Sequence, residues 1–101
     1  MPHHVYILFS EKLNRFYVGN TDLDPMDRLQ QHNQKQHPNS FTARGVPWIL
    51  FFSFQCESRW QARGIEAHLK RMKSTLYYQN LLRYPEMVDS LHKSMLEIKR
   101  Q

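Results

Sequence analysis

The sequence predicts an α/β domain of the α+β type, a three-stranded and mainly antiparallel sheet flanked by helices. Three observations carry this reading. Two short segments rich in β-branched and aromatic residues, running from His4 to Phe9 and from Arg15 to Gly19, flank a polar turn near the amino terminus. A nearly continuous aromatic and aliphatic run of strand length follows from Trp48 to Phe54. Beyond it, Ala62, Ile65, Leu69 and Met72, and then Met87, Val88, Leu91, Met95 and Ile98, recur at helical spacing.

The first two segments read as a β-hairpin, with Ser10 to Asn14 as the connection. Asp24 supplies an N-cap and Pro25 fits the first helical turn, where no amide donor is needed, so a helix is expected to run to about Asn33. Arg28 and His32, one turn apart, share a face of it. From Gln34 to Pro47 the chain is polar and broken by Pro38, Gly45 and Pro47, which predicts a long surface loop. The run from Trp48 to Phe54 is too uniformly apolar for a solvent-facing edge and reads as a buried third strand. Ser58 and Gln61 form a capping-box pattern opening an amphipathic helix, with Glu66 just beside its apolar stripe and Arg63, Lys70, Arg71 and Lys73 off it. The remainder is expected to pack one or two further helices onto the sheet.

A chain of 101 residues suits one domain over its whole length, residues 1–101, with one core. The longest apolar run, Trp48 to Phe52, falls far short of the roughly 18 residues that span a bilayer, so no membrane association is expected. The start, Met1-Pro2-His3-His4, has no secretory pattern, and the lone Cys56 agrees with a reducing compartment, so a cytoplasmic location is expected. No cysteine pair exists for a closed zinc site; His3, His4, His37, His68 and His92 read as surface residues. Lys and Arg outnumber Asp and Glu by 14 to 9, a net charge of +5 that biases the surface towards polyanions.

Hydrolysis of a phosphodiester needs a proton acceptor for water, a cation for the charge growing on phosphorus, and usually a carboxylate-held metal at the leaving oxygen. The chain offers Tyr6 and Tyr17, Arg28 with His32, and Glu66 in those capacities. In their order along the chain, Val5-Tyr6-Ile7, Tyr17-Val18-Gly19, Arg28-Leu29 with His32-Asn33, and Glu66-Ala67-His68-Leu69-Lys70 ending at Lys73-Ser74 resemble the GIY-YIG endonuclease family, in its small single-domain bacterial type. Phe41-Thr42, Gly45 and Pro47-Trp48 resemble the family's loop before its third strand. Val5 stands where the first triplet of the family has glycine.

The resemblance implies a metal-dependent DNA endonuclease of repair or recombination type. Tyr17 or Tyr6 would activate or orient the water, Arg28 would bind the scissile phosphate, and His32 would assist proton transfer or hold a tyrosine. Glu66 would hold a single Mg²⁺ or Mn²⁺, and Gly19 would allow close backbone approach to the phosphate or a helix. Asn80, two residues beyond the position twelve after the glutamate, is the candidate for a further asparagine of the site. Lys35, Arg44, Arg63, Lys70 and Lys73 could track a DNA backbone. So small a chain leaves little surface for sequence selection, which favours a nick, flap or branch as substrate, or a protein partner for targeting. Two other readings remain open: a nucleic-acid-binding module that keeps the fold without cleaving, and a protein-interaction domain using an aromatic patch. Singly, the tyrosines read as strand aromatics, Arg28 as an ion-pair partner of Asp24 or Asp27, and Glu66 as a partner of Lys70 at i+4.

Overall fold

A computed structural model describes residues 2–34 and 39–100, with side chains up to residue 95. Its elements in chain order are β1 (His3–Ser10), β2 (Arg15–Thr21), α1 (Pro25–Asn33), α2 (Phe41–Arg44), β3 (Trp48–Cys56), α3 (Arg59–Met72), α4 (Thr75–Arg83) and α5 (Pro85–Arg100). The strands form one three-stranded sheet in the order β2-β1-β3, antiparallel throughout. The predicted class and hairpin are therefore present. Asn14 closes the β1–β2 connection in the left-handed region, at φ 51°, a conformation its short amide side chain tolerates.

The two sides of the sheet have different neighbours, as side-chain alternation along each strand requires. Val5, Ile7 and Val18 join Ala62, Ile65 and Leu69 of α3, Tyr78 and Leu81 of α4, and Val88 and Leu91 of α5 in the larger core. Tyr6 and Leu8 point the other way, to Leu29 of α1 and Trp48, in a smaller one. Burial of apolar area in these clusters supplies the main favourable term in folding.

The helix starts follow local chemistry. The Asp24 carboxylate accepts the Met26 amide at 2.8 Å, with Pro25 in the first turn. The Ser58 hydroxyl accepts the Gln61 amide at 3.0 Å, and Gln61, fully buried, returns its side-chain oxygen to the Glu57 amide at 2.8 Å. Its side-chain nitrogen donates to the His92 carbonyl at 3.1 Å, which ties α3 to α5. The carboxyl-terminal remainder forms α4 and α5; the apolar stripe lies on α5, where Val88 and Leu91 are buried, and Ile98 lies outside the described side chains.

Four expectations are corrected. The segment predicted as a continuous loop contains the short helix α2, held because the Trp48 indole donates to the Thr42 carbonyl at 2.6 Å; Lys35, His37 and Pro38 lie outside the described residues. The third strand is an edge, since β1 pairs on both sides, and Ile49 is 55% exposed. Its unbroken apolar run serves both faces: Trp48 and Leu50 pack in the smaller core, Phe52 and Phe54 in the larger. The register step from Leu8↔Leu50 to Ile7↔Phe52 leaves Phe51 as an extra residue on β3, a bulge that lets consecutive phenylalanines reach one core. Met72, predicted in the α3 stripe, is exposed in its last turn, just before Lys73 leaves the helix at φ 47°. His3 is buried rather than on the surface, because its ring is drawn into a hydrogen bond with Asn20.

Candidate active site

Tyr6 and Tyr17 come from adjacent antiparallel strands, and their rings meet α1 on the same side of the sheet. Ring centroids lie 6.5 Å apart for the two tyrosines, 5.9 Å for Tyr6 and His32, and 5.5 Å for Tyr17 and His32. The Tyr6 hydroxyl and His32 Nε2 are 2.9 Å apart, and both side chains are buried. Arg28 stands one turn earlier on α1, its guanidinium donating to Gln31 Oε1 at 2.8 Å. Asn33 anchors this helix to β3 by a reciprocal pair: its amide nitrogen donates to the Trp48 carbonyl at 3.0 Å, and its oxygen accepts the Trp48 amide at 2.7 Å.

Tyr6 sits on the central strand opposite Gly19 of β2. A Cβ built on Gly19 would fall 2.5 Å from Tyr6 Cζ, so the glycine is needed for the phenol itself. This replaces the expectation that Gly19 makes room for a phosphate or a helix; nor is a left-handed backbone the reason, since among the described residues no glycine has positive φ. Burial pushes the Tyr6 phenol up to about 12, the nearby Tyr17 and Glu66 push in the same direction, and the Arg28 guanidinium partly opposes them.

Glu66 reaches the site from α3, whose stripe lies against the other side of the sheet. Its Oε1 accepts from Asn20 Nδ2, and its Oε2 pairs with Lys70 Nζ at 2.7 Å. Asn20 Oδ1 is in turn 2.7 Å from His3 Nε2. Lys70 also lies 5.6 Å from the centroid of the Tyr17 ring, so it bridges the carboxylate and the phenol around the β2 edge. Burial works against the Lys70 charge, but Glu66 outweighs it and the ammonium is held above its usual range.

A family model described as the GIY-YIG catalytic domain matches residues 2–80. The chain belongs to the GIY-YIG family. Neither the comparison with curated proteins nor that with solved structures gave a match. The match covers the whole sheet and ends within α4, so α5 lies beyond the residues matched to the GIY-YIG domain.

Of the predicted site residues, Tyr6, Tyr17, Arg28 and His32 are brought together with Glu66 at the β2 margin of this GIY-YIG sheet. Asn80 lies half-buried on α4, whose buried Tyr78 and Leu81 belong to the larger core, and its side chain makes no hydrogen bond to Tyr6, Tyr17, Arg28 or Glu66. The amide that does reach the carboxylate is Asn20, whose position beside Glu66 depends on cross-strand register and α3 packing rather than on a sequence motif.

Among the predicted basic residues, Lys70 and Lys73 line a hollow of about 510 Å³ beside Tyr17, together with Arg15, Phe16 and Phe41. Arg15 had no signal beyond composition, and Phe41 only its place in the loop motif before the third strand. Arg44 is exposed at the end of α2. Arg63 instead lines a separate hollow with Trp60, Gly64 and Met95, and Lys35 lies outside the described residues. Among the described residues, no helix is long and apolar enough to cross a membrane, and no group of three or more His, Cys, Asp and Glu forms a metal cluster.

The donor set around Glu66 fits one hard divalent ion. Each carboxylate oxygen has two lone-pair directions; Asn20 and Lys70 take one on each, which leaves acceptor capacity on both. Mg²⁺ and Mn²⁺ accept such a site when water and substrate phosphate supply the remaining oxygens.

Proposed function

We propose that this GIY-YIG protein is a divalent-metal-dependent endonuclease hydrolysing phosphodiester bonds in DNA, with preference for a nick, flap or branch. The observation that carries the reading is the convergence of two phenols, a histidine and an arginine on one sheet face with a single carboxylate at its margin.

The phenols have different surroundings. Tyr6, 2% exposed and pushed up to about 12, keeps its proton and shares a hydrogen bond with His32 Nε2; it positions groups rather than activating water. Tyr17, half-buried and lining the open hollow under Lys70, is the phenol that water can reach; as its phenolate it would take the water proton and be left as the neutral phenol while the water oxygen attacks phosphorus. Arg28 offers a permanently charged, multi-donor guanidinium to the scissile phosphate. Glu66 would hold Mg²⁺ or Mn²⁺, which when bound supplies charge neutralisation at the leaving oxygen. Arg15, Lys70 and Lys73 around the hollow would contact flanking phosphates, an attraction that salt weakens.

The lack of a hydrogen bond from Asn80 to the cluster favours one alternative, a module that binds nucleic acid without cutting it. Cleavage of labelled single-stranded, duplex, nicked, flap and branched DNA with Mg²⁺ or Mn²⁺ separates the two. The native protein is expected to cut, Glu66→Gln and Tyr17→Phe to lose cleavage by at least about 100-fold, and Arg28→Ala to lose cleavage and weaken binding. Salt-sensitive binding of every substrate with no cleavage would replace the nuclease with the binding module.

A further inference from the structure

We infer that Asn20, held by His3, is the positioning residue that aims the Glu66 carboxylate, so that metal affinity at this site depends on a relay through both strands of the hairpin. The inference rests on the reading of Glu66 as the metal ligand.

Chemistry fixes the direction of the relay. An ionised carboxylate only accepts hydrogen bonds, so the group of Asn20 facing Glu66 Oε1 must be its amide nitrogen. That turns Asn20 Oδ1 towards His3, and an amide oxygen also only accepts, so His3 Nε2 carries the proton across the 2.7 Å contact. Donors therefore run from His3 to Asn20 to Glu66.

Register explains why these two residues meet. Val5 pairs with Asn20, and His3, two residues before Val5, projects from the same side of β1 as its diagonal neighbour. That side faces α3, the helix carrying Glu66. His3 is 6% exposed, its partner on β3 is Cys56, and the imidazole thus forms a fixed end to the relay rather than a solvated side chain. Glu66 is held on its other oxygen by Lys70, a long side chain that is half exposed, for which an arriving phosphate would compete. When Lys70 leaves, Asn20 is what keeps the carboxylate in place.

A ligand already oriented loses less freedom on coordination, and removal of such a supporting hydrogen bond typically lowers metal affinity about 10–100-fold. The test is titration of the full chain with Mn²⁺, followed by water-proton relaxation well below the unfolding temperature, beside DNA affinity in EDTA. Asn20→Leu and His3→Leu are expected to weaken Mn²⁺ binding about 10–100-fold and about 10-fold, with DNA affinity in EDTA within about twofold of native. His3→Gln, which restores a donor, is expected to recover most of the loss. A merely structural role would change stability without changing the Mn²⁺ affinity of the folded protein. Glu66→Gln separates the two levels of the argument. If it abolishes Mn²⁺ binding while Asn20→Leu binds as tightly as native, the relay is refuted and the metal ligand stands. If Glu66→Gln binds Mn²⁺ like the native chain, the ligand assignment fails and the relay with it. Should Asn20→Leu not fold, His3→Leu against His3→Gln decides, and equal native affinity in both refutes the relay.

Discussion

Gly19→Ala is the sharpest test of how this sheet accommodates its buried phenol. In a strand without special backbone geometry, alanine is normally better than glycine by about 0.5–1 kcal/mol, because glycine loses more freedom on folding. Gly19 has no positive φ, so backbone conformation gives no reason for the opposite sign. The new methyl group, however, would sit 2.5 Å from Tyr6 Cζ, and Tyr6 is fixed between α1, Leu8 and its 2.9 Å bond to His32. Overpacking of this kind costs about 1–3 kcal/mol, which outweighs the intrinsic gain and leaves a net loss of roughly 1–2 kcal/mol. The ring must move by about 1 Å to relieve the contact, enough to lower cleavage about 100-fold if Tyr6 positions the reacting groups. Urea unfolding measures the first effect, and single-turnover cleavage the second. Tyr6→Leu supplies the control: with the ring gone, Gly19→Ala should become neutral or stabilising, a coupling of roughly 1–3 kcal/mol in the double-mutant cycle. Unchanged or raised stability for Gly19→Ala in the native background would show that the phenol does not need the glycine.

Gln61→Leu keeps nearly the same volume but removes the part-buried hydrogen bonds to the Glu57 amide and the His92 carbonyl, so a loss of roughly 1–3 kcal/mol in urea unfolding is expected; a loss below about 0.5 kcal/mol would mean that these groups find other partners. Stability should also fall at alkaline pH. Burial raises Cys56 from 9.0 to about 11 and Tyr6 from 10.0 to about 12, so both protonated forms are favoured in the folded state. Their contribution is complete below pH 9, fades between about 9 and 11 for Cys56 and between about 10 and 12 for Tyr6, and amounts to roughly 2–3 kcal/mol each. Urea midpoints measured from pH 8 to 12 should decline less steeply in Cys56→Ala with Tyr6→Phe than in the native chain; parallel curves would contradict the assignment.

Legibility in the sequence tracked how local the determining physics is. The β1–β2 hairpin, the Asp24–Pro25 start of α1 and the Ser58 cap of α3 were readable because each depends on residues within a few positions of one another. Helix α2 was hidden in a polar, proline-broken stretch, since what holds Thr42 is the indole of Trp48 from the next strand. The edge position of β3 was hidden because a strand packed on both faces looks buried whether or not it has a second neighbour. The same division governs the site. Tyr6, Tyr17, Arg28, His32 and Glu66 sit in ordered motifs and do converge, whereas Asn20 and His3 meet only through a cross-strand diagonal that no spacing along the chain reveals. Asn80 is suggested only by its distance from Glu66 along the chain; on α4, whose Tyr78 and Leu81 pack in the core, it makes no hydrogen bond to that network.

Strand position, rather than residue type, separates the two phenols. Tyr6 lies on the central strand, covered by Gly19 on one flank and packed with Leu29 and Trp48, so water is excluded and the proton stays on oxygen. Tyr17 lies on the edge strand β2, where the sheet ends, a hollow opens, and Lys70 can reach around from α3. The same edge lets Asn20, three residues along, contact Glu66 on the helix behind the sheet. At the β2 margin a carboxylate from the helix behind the sheet and a solvent-accessible phenol on its front come within reach of one Lys70 ammonium, whereas a central strand would place the full thickness of the sheet between them. If the proposed nuclease reading holds, the buried phenol orients and the edge phenol reacts, so Tyr17→Phe should abolish cleavage in single-turnover assays, whereas Tyr6→Phe should retain measurable cleavage with a larger loss in kcat than in DNA affinity. The reverse ranking would assign water activation to the buried phenol in spite of its raised proton affinity.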